Sequence, residues 1–169
     1  MRDDEVLAVP ETDGSDEQAM GLAIRFALAG VATGQSPFGC CIVRDGHVLA
    51  CAHNRVWADT DATAHAEVLA IRAACRKLET IDLAGSTLYT TCEPCPMCFA
   101  AAHWARVSRV VYGASIADAR EAGFNELGIG AGQMRELGPS AVEVVPGFMA
   151  SDCRNVFTTW SRLGLGKPY

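Results

Sequence analysis

Two short motifs in this chain contain side chains that bind metals and move protons. The first is His65-Ala66-Glu67, and the second, further along the chain, is Pro94-Cys95-Pro96-Met97-Cys98. Imidazole nitrogens and thiolates are ligands that zinc commonly takes in proteins. His65, Cys95 and Cys98 supply three such ligands, which is the number in a catalytic zinc site that leaves one position for water. Each motif is predicted to open a helix, so two helix N-termini would converge on one ion.

The carboxylate of Glu67 has a different expected role. On a regular helix it would lie about 200° around the axis from His65, so the two side chains would diverge. At the first turn of a helix the geometry is less restricted, and we expect Glu67 to transfer protons beside the metal rather than to bind it. His-x-Glu followed by Pro-Cys-x-x-Cys is the signature of zinc-dependent nucleobase deaminases.

Other interpretations of the cysteines remain open from the residues alone. Cys92 precedes Cys95 by three positions, so Cys92, Cys95, Cys98 and His65 could form a closed structural zinc site. Three cysteines could also bind an iron–sulfur cluster, although a fourth cysteine ligand is not evident. A non-catalytic interaction domain stabilised by zinc is therefore the alternative from a different class. The intact Glu67 argues against it.

Several further side chains are candidate substrate contacts. Asn54 follows a predicted strand, and its carboxamide can donate and accept together, which suits a purine or pyrimidine edge; capping a turn is the alternative role. Phe38 and Trp104 are flat and can stack on a base, although Phe38 also suits a core position. Glu126 could accept a hydrogen bond from an amino or ring N–H group, or simply face solvent.

Composition limits the class of protein. The chain has 169 residues, 50% hydrophobic content and a net charge of −6, which suits one globular domain. It contains no apolar run long enough to cross a membrane. An acidic balance argues against a nucleic-acid partner. The acidic start lacks signal-peptide features, so we expect a cytoplasmic protein with reduced thiols. Five cysteines outside the motif are expected to pack as small hydrophobic side chains: Cys40, Cys41, Cys51, Cys75 and Cys153.

The pattern of elements predicts an α/β fold. Residues 1–14 are expected to be disordered and residues 15–169 to form a single domain. Helices are predicted from Ser15, over 63–77, from Cys92 to about 105, near 118–122 and over 150–163. Strands are predicted over 38–43, 47–52, 86–90, 109–113 and 141–145. Residues 56–62, the glycine-rich stretch 123–138 and the tail 164–169 are predicted as loops. The order predicts a three-layer α-β-α sandwich around a mixed five-stranded sheet, with the third and fourth strands parallel.

The chain resembles the cytidine-deaminase-like superfamily over most of residues 15–169, and the purine-type members match best. Four segments are similar to bacterial guanine deaminases: SPFG at 36–39, TAHAEV at 63–68, LYTTCEPCPMC at 88–98 and EAGF at 121–124. The resemblance implies hydrolysis of guanine to xanthine and ammonia, which makes the protein a hydrolase of carbon–nitrogen bonds in cyclic amidines, with one zinc ion per chain. It also implies that Cys92 is not a ligand.

The resemblance assigns further site residues. It makes Asn54 a base-edge contact, includes Ala66 among the substrate contacts and matches Glu126 to the position where the family has an acid, usually aspartate. A terminal tyrosine closes the neighbouring subunit's site in the family, which implies a domain-swapped homodimer with Tyr169 in that role. The glycine-rich loop departs from the family pattern. Guanosine, cytosine or cytidine, and tRNA adenosine remain alternative substrates, because related deaminases share the zinc motif.

Overall fold

The computed structural model describes residues 14–169. The predicted disorder of the acidic N-terminal segment therefore lies outside the described residues, apart from Gly14. The elements are α1 Asp16–Ala32, β1 Gly39–Arg44, β2 His47–His53, α2 Val56–Asp59, α3 Ala66–Leu78, β3 Thr87–Cys92, α4 Pro96–Trp104, β4 Arg109–Ala114, α5 Ile116–Glu121, α6 Ala131–Leu137, β5 Glu143–Val145 and α7 Ala150–Leu163.

The five strands form one mixed sheet in the order β2-β1-β3-β4-β5. Strand β1 is antiparallel to β2 and β3, whereas β3, β4 and β5 run parallel. Helices α1 and α7 contact each other and pack on the sheet, and α3 and α4 form a second helical pair. The predicted three-layer α/β sandwich is confirmed, including the parallel pairing of β3 with β4.

Helix α1 begins and packs as its sequence predicts. The side chain of Ser15 accepts a hydrogen bond from the Gln18 N–H group, which caps the first turn. The buried stripe of α1 includes Ala23 and Ala27. The backbone of Ala23 and the backbone and methyl group of Ala27 lie directly against Gly39 of β1, where a Cβ atom would collide with the helix. Helix and strand therefore approach more closely than larger residues would allow.

Two helices lie where loops are predicted. Helix α2 lies within residues 56–62, and its first N–H group, that of Val56, donates to the side chain of Asn54. Helix α6 lies within the glycine-rich stretch, and its first N–H group, that of Ala131, donates to Glu93. The cap of α6 comes from a residue distant in the chain, so the local pattern could not indicate it.

None of the helices formed by residues 14–169 is long and apolar enough to span a membrane. The cytoplasmic location stays a prediction from the sequence.

Candidate metal centre and active site

The three predicted zinc ligands come together where two helices begin. His65 is the N-cap of α3 and Cys95 is the N-cap of α4, both with extended backbones, and Cys98 lies in the first turn of α4. Their ligand atoms all lie within 4.8 Å of one another. Nδ1 of His65 is 3.7 Å from the Cys95 sulfur and 3.5 Å from the Cys98 sulfur. Nδ1 is therefore the ring atom that would bind the metal.

This spacing fits zinc. Bond lengths of about 2.3 Å to sulfur and 2.0–2.1 Å to nitrogen in a tetrahedron put neighbouring ligand atoms roughly 3.6 Å apart. Hydrogen bonding lowers the pKa of Cys95 to about 4, first from the Cys98 thiol and then from His65. The thiolate that a metal requires is thus already favoured at Cys95. The helix N-termini stabilise the same negative charge.

Helix α3 begins at Ala66 rather than at residue 63, and this explains how His65 and Glu67 reach one place. Because His65 has an extended backbone, with φ −71° and ψ 150°, it does not belong to the regular helix. The rotation of about 200° that two helical positions would impose on His65 and Glu67 is therefore absent. Oε2 of Glu67 lies 3.5 Å from the Cys98 sulfur. Oε1 accepts a hydrogen bond of 2.9 Å from the Thr90 hydroxyl. Thr90 therefore holds one oxygen and leaves Oε2 facing the ligand set.

Burial raises the pKa of Glu67, whose side chain is almost enclosed in the protein. A higher pKa makes a carboxylate a better proton acceptor, which suits a group that takes a proton from water and returns it in general acid–base catalysis. The geometry matches a proton carrier beside the metal position.

Helix α4 begins at Pro96 rather than at Cys92, so Cys92 belongs to the end of β3. Its buried sulfur lies 3.4 Å from the Ser115 carbonyl oxygen. It is not part of the cluster formed by His65, Cys95 and Cys98, although it lines the same cavity. The arrangement is open, with three protein ligands, as catalytic zinc sites are.

The tail, predicted as loose, packs into the site of its own chain. Nδ2 of Asn54 donates to the Tyr169 hydroxyl at 2.6 Å, and that hydroxyl lies 3.3 Å from Nε2 of His65. The N–H group of Asn125 donates to the main-chain oxygen of Tyr169. The indole N–H group of Trp57 donates to the carbonyl oxygen of Lys167. Tyr169 is therefore fixed beside the metal position.

We expect Tyr169→Phe to weaken zinc binding about tenfold. When Nδ1 of His65 binds a metal, Nε2 carries the proton and donates to the tyrosine oxygen, and such partners of a ligand histidine typically contribute about 10–100-fold in affinity. Competition with a chelating dye measures the change. Tyr89→Phe is the matched control, because its hydroxyl bonds Asp16 instead. Equal zinc affinity in both variants and the wild type would contradict this role.

Asn54 caps a turn, which is one of the two roles that its sequence position suggests, and its contact with a base stays a prediction. Its Oδ1 accepts from the Val56 N–H group at 3.1 Å, so the residue caps a turn. Because Oδ1 is occupied, the NH₂ group points toward the site, where it contacts Tyr169. Asn54 can therefore donate a hydrogen bond to a ligand once Tyr169 moves. Ala66, the first residue of α3, is fully buried beside His65.

Aromatic side chains form one wall of the cavity. The eight lining residues are Phe38, His65, Glu67, Cys92, Glu93, Cys95, Glu126 and Tyr169. The rings of Phe38 and Phe124 meet edge to face at 4.8 Å, and Phe124 contacts Tyr169 in the same manner at 5.6 Å. Phe38 is thus both a core residue and a pocket residue. The supporting role of Phe124 is a feature that the sequence pattern alone does not indicate.

Glu126 lines the cavity, as expected for a substrate contact. The guanidinium of Arg120 donates two hydrogen bonds, of 3.3 and 3.0 Å, to the Glu126 carbonyl oxygen. Burial, and then the nearby Cys95, raises the pKa of the Glu126 carboxyl. The backbone contact anchors the loop that presents this carboxylate.

The expectation that Trp104 forms a wall of the pocket is wrong. Trp104 is the last residue of α4, whose first turn carries the ligands, and it is 79% exposed. It lies eight positions after Pro96, which is roughly 12 Å along the helix axis. Its ring contacts His103 instead.

Glu93 is a site residue that sequence reasoning missed. Its Oε1 accepts from the Ala131 N–H group at 2.9 Å, and its Oε2 accepts from the Ile116 N–H group at 3.2 Å. One carboxylate thereby joins the cysteine loop to the first residues of α5 and α6. Its position between two metal-motif cysteines was the available signal, but its two distant partners become apparent only in the fold.

We expect Glu93→Gln to lower the free energy of unfolding by about 1–2 kcal/mol, because an amide offers one acceptor oxygen where two N–H groups need one each. Urea denaturation of the zinc-loaded protein measures the loss. Glu121→Gln, an exposed change on α5, is the control and should be neutral. A Glu93 variant as stable as this control would contradict the role of Glu93 in joining the cysteine loop to α5 and α6.

Comparison with known proteins identifies the family. Residues 13–114 match the cytidine and deoxycytidylate deaminase zinc-binding region. This match covers more than half of the chain and includes His65, Glu67, Cys95 and Cys98. The chain belongs to this family of zinc-binding deaminases, which confirms the predicted hydrolase class and zinc cofactor.

Individual relatives have different substrates. The chain is 50% identical over 105 residues to the guanine deaminase of Bacillus subtilis, covering 62% of this chain and 67% of that protein. It is 36% identical over 152 residues to the tRNA-specific adenosine deaminase of the same species, covering 87% and 89% respectively. The structure of a guanine deaminase from Nitrosomonas europaea matches with a TM-score of 0.83 at 27% identity, covering 96% of this chain and 98% of that one.

Proposed function

We propose that this protein deaminates an amino-purine base and that its substrate is guanine, which it hydrolyses to xanthine and ammonia. The observation that carries the proposal is the position of Oε2 of Glu67 beside the sulfur of Cys98, in a cavity that Glu126 also lines. The 50% identity to a guanine deaminase supports the choice of base.

His65, Cys95 and Cys98 would hold the zinc ion, which when bound activates a water molecule at neutral pH. Oε2 of Glu67 accepts a proton from the attacking water and delivers it to a ring nitrogen of the base. The same oxygen then transfers the second proton of the water to the departing amine, which leaves as ammonia. Thr90 keeps the carboxylate in position throughout, because its hydroxyl holds Oε1.

The polar groups around the cavity complement guanine. Guanine carries both a carbonyl acceptor and ring N–H donors, whereas adenine has no carbonyl group. Asn54 supplies a donor, because its oxygen is bound to Val56. Glu126 supplies an acceptor. For the base to contact Asn54, the hydroxyl of Tyr169 must leave its present position. The segment 164–169 forms no helix or strand, so this movement breaks no regular element.

A tRNA adenosine deaminase is the second candidate, favoured by the similarity to the B. subtilis enzyme over 87% of this chain. Two features argue against it. The net charge of −6 is unfavourable for binding RNA phosphates, and Glu126 adds a negative side chain to the cavity. Guanosine, cytosine and cytidine remain alternative substrates, because the same zinc-dependent hydrolysis could remove their amino groups.

Ammonia release from a panel of substrates tests the proposal. Zinc-loaded protein is offered guanine, guanosine, adenine, cytosine, cytidine and an RNA stem-loop with adenosine at the wobble position. We expect release from guanine far above the others. Preferred release from another ring would retain the deaminase and overturn the guanine assignment. Release from the RNA alone would replace it with the tRNA function.

We also propose that the protein works as a homodimer in which the tail carrying Tyr169 is exchanged between subunits. Trp104 and Leu137 support an apolar interface, because they are 79% and 82% exposed on two helices, α4 and α6, that contact each other. Within the segment 164–169, Tyr169 and Lys167 make side-chain-mediated hydrogen bonds to Asn54 and Trp57, and the same contacts could form with a neighbouring copy.

Mixing two impaired variants tests the exchange, since Glu67→Gln lacks the proton carrier and the loss of Tyr169 removes the partner of the His65 ring. Chains with Glu67→Gln are combined with chains lacking residue 169, under conditions that allow subunits to redistribute. In an exchanged dimer one site would contain both an intact Glu67 and a Tyr169 from the other chain, so activity should return in part. No recovery in a confirmed mixed dimer would contradict the exchange, and a monomeric mass in light scattering would contradict the dimer.

A further inference from the structure

Two cysteines outside the metal centre form a close pair. Cys41 of β1 lies directly opposite Cys51 of β2 in the antiparallel register. Their sulfur atoms are 3.0 Å apart, and both are free thiols. Neither takes part in the chemistry proposed for the zinc site.

The strand register favours a covalent bond between them. The N–H group of Asn54 donates to the carbonyl oxygen of Phe38, so these two residues form a hydrogen-bonded pair. Hydrogen-bonded and non-hydrogen-bonded pairs alternate along antiparallel strands. Counted onward from the pair of Phe38 and Asn54, the pair of Cys41 and Cys51 is the third. It is therefore a non-hydrogen-bonded pair, in which Cα atoms are about 4.5 Å apart and side chains approach most closely. Disulfides span Cα distances of roughly 4.4–6.8 Å, so this bond requires no movement of the strands.

The pair is partly accessible and separate from the metal centre. Cys51 is partly exposed, whereas Cys41 is fully buried. Successive side chains of a strand point to opposite faces of the sheet. Cys40 is paired with Thr90, whose hydroxyl contacts Glu67, so these side chains face the zinc site. Cys41 therefore faces the opposite side, and its oxidation would leave the zinc ligands untouched.

We propose that Cys41 and Cys51 are a redox modification site that is oxidised by small-molecule disulfides, the class to which oxidised glutathione belongs. The more exposed Cys51 thiolate attacks the reagent, breaks its S–S bond and releases one reagent thiol. The Cys41 sulfur then attacks the Cys51 sulfur of the mixed disulfide and releases the second reagent thiol. The protein is oxidised by two electrons, the reagent is reduced, and the two protein protons end on the two released thiols. The product links β2 to β1 three residues before Asn54.

Incubating zinc-loaded protein with oxidised glutathione tests this site. The intact mass should fall by two hydrogen atoms, and peptide mapping without reduction should find Cys41 joined to Cys51. The thermal midpoint should rise, because the cross-link restricts the unfolded chain. Cys41→Ser should stop at a glutathione adduct on Cys51, and Cys51→Ser should show no oxidation at Cys41. Cys75→Ser, which removes another partly exposed thiol, should behave as the wild type.

The wild-type measurement alone can overturn the proposal. A stable glutathione adduct on Cys51, with Cys41 still reduced, would mean that the second thiol does not complete the reaction. Unmodified Cys41 and Cys51 peptides from protein with full zinc content would mean that the pair does not react. Either result is readable without any variant, so a folding defect in Cys41→Ser cannot obscure it.

Discussion

Glu67→Gln is expected to bind one zinc ion per chain and to lose turnover by about 10²–10⁴-fold. The amide keeps the size of the side chain and can still accept from the Thr90 hydroxyl, which now holds Oε1 at 2.9 Å. It cannot take a proton from water at the position of Oε2, so hydrolysis loses its proton carrier. In energy terms the loss is about 2.7–5.5 kcal/mol of transition-state stabilisation.

Steady-state ammonia release together with zinc analysis by mass spectrometry measures both quantities in one preparation. Glu79→Gln is the matched control, because Glu79 is an exposed residue at the other end of α3. It should retain both zinc and full turnover. Turnover near the wild-type rate in the Glu67 variant would show that the proton passes through another group, and loss of zinc would show that Glu67 is a ligand.

Cys98→Ala is expected to abolish stoichiometric zinc binding and, with it, detectable deamination. Only His65 and Cys95 would remain of the three-ligand cluster, and two ligands do not make a zinc site of the kind found in these enzymes. Thermal stability should also fall, because a ligand present at 100 times its dissociation constant stabilises the folded state by about 2.7 kcal/mol.

Cys92→Ala is the control that separates the two zinc interpretations. It removes a buried cysteine of the same motif, whose sulfur contacts the Ser115 carbonyl rather than the metal position. We expect it to retain zinc and most activity. Equal loss of zinc in both cysteine variants would instead support a closed structural site with four ligands.

Removal of zinc by a chelator should lower the thermal midpoint by several degrees without unfolding the chain, since the core is formed by the sheet and its helices.

The fold and the ligand set could be predicted because their signals are local. The capping residue Ser15, the motif from His65 to Glu67 and the motif from Pro94 to Cys98 each lie within a short stretch of sequence. The class of fold then follows from the order of helices and strands. The two catalytic helices were predicted to begin three or four residues too early. The N-cap residues of these helices, His65 and Cys95, are themselves the predicted metal ligands. They are not the Ser, Thr, Asp or Asn residues that usually mark the start of a helix.

What could not be predicted depends on partners that are distant in the chain. Helix α6 is capped by Glu93 from another loop, so its glycine-rich sequence indicates only a loop. Thr90 is one of several polar residues in its strand, and its contact with Glu67 depends on how α3 packs. Trp104 illustrates the opposite error. An aromatic residue near a motif suggests a pocket wall, but its place at the far end of α4 directs it to solvent.

The most direct test of the central claim is to incubate zinc-loaded protein with guanine in water enriched in heavy oxygen and to analyse the purine product. We predict one xanthine and one ammonia for each guanine consumed, with a single heavy oxygen on the carbon that carried the amino group. The Glu67→Gln protein, equally loaded with zinc, should form almost none. Absence of xanthine with stoichiometric zinc bound, or xanthine without the label, would contradict hydrolytic deamination of guanine at this site.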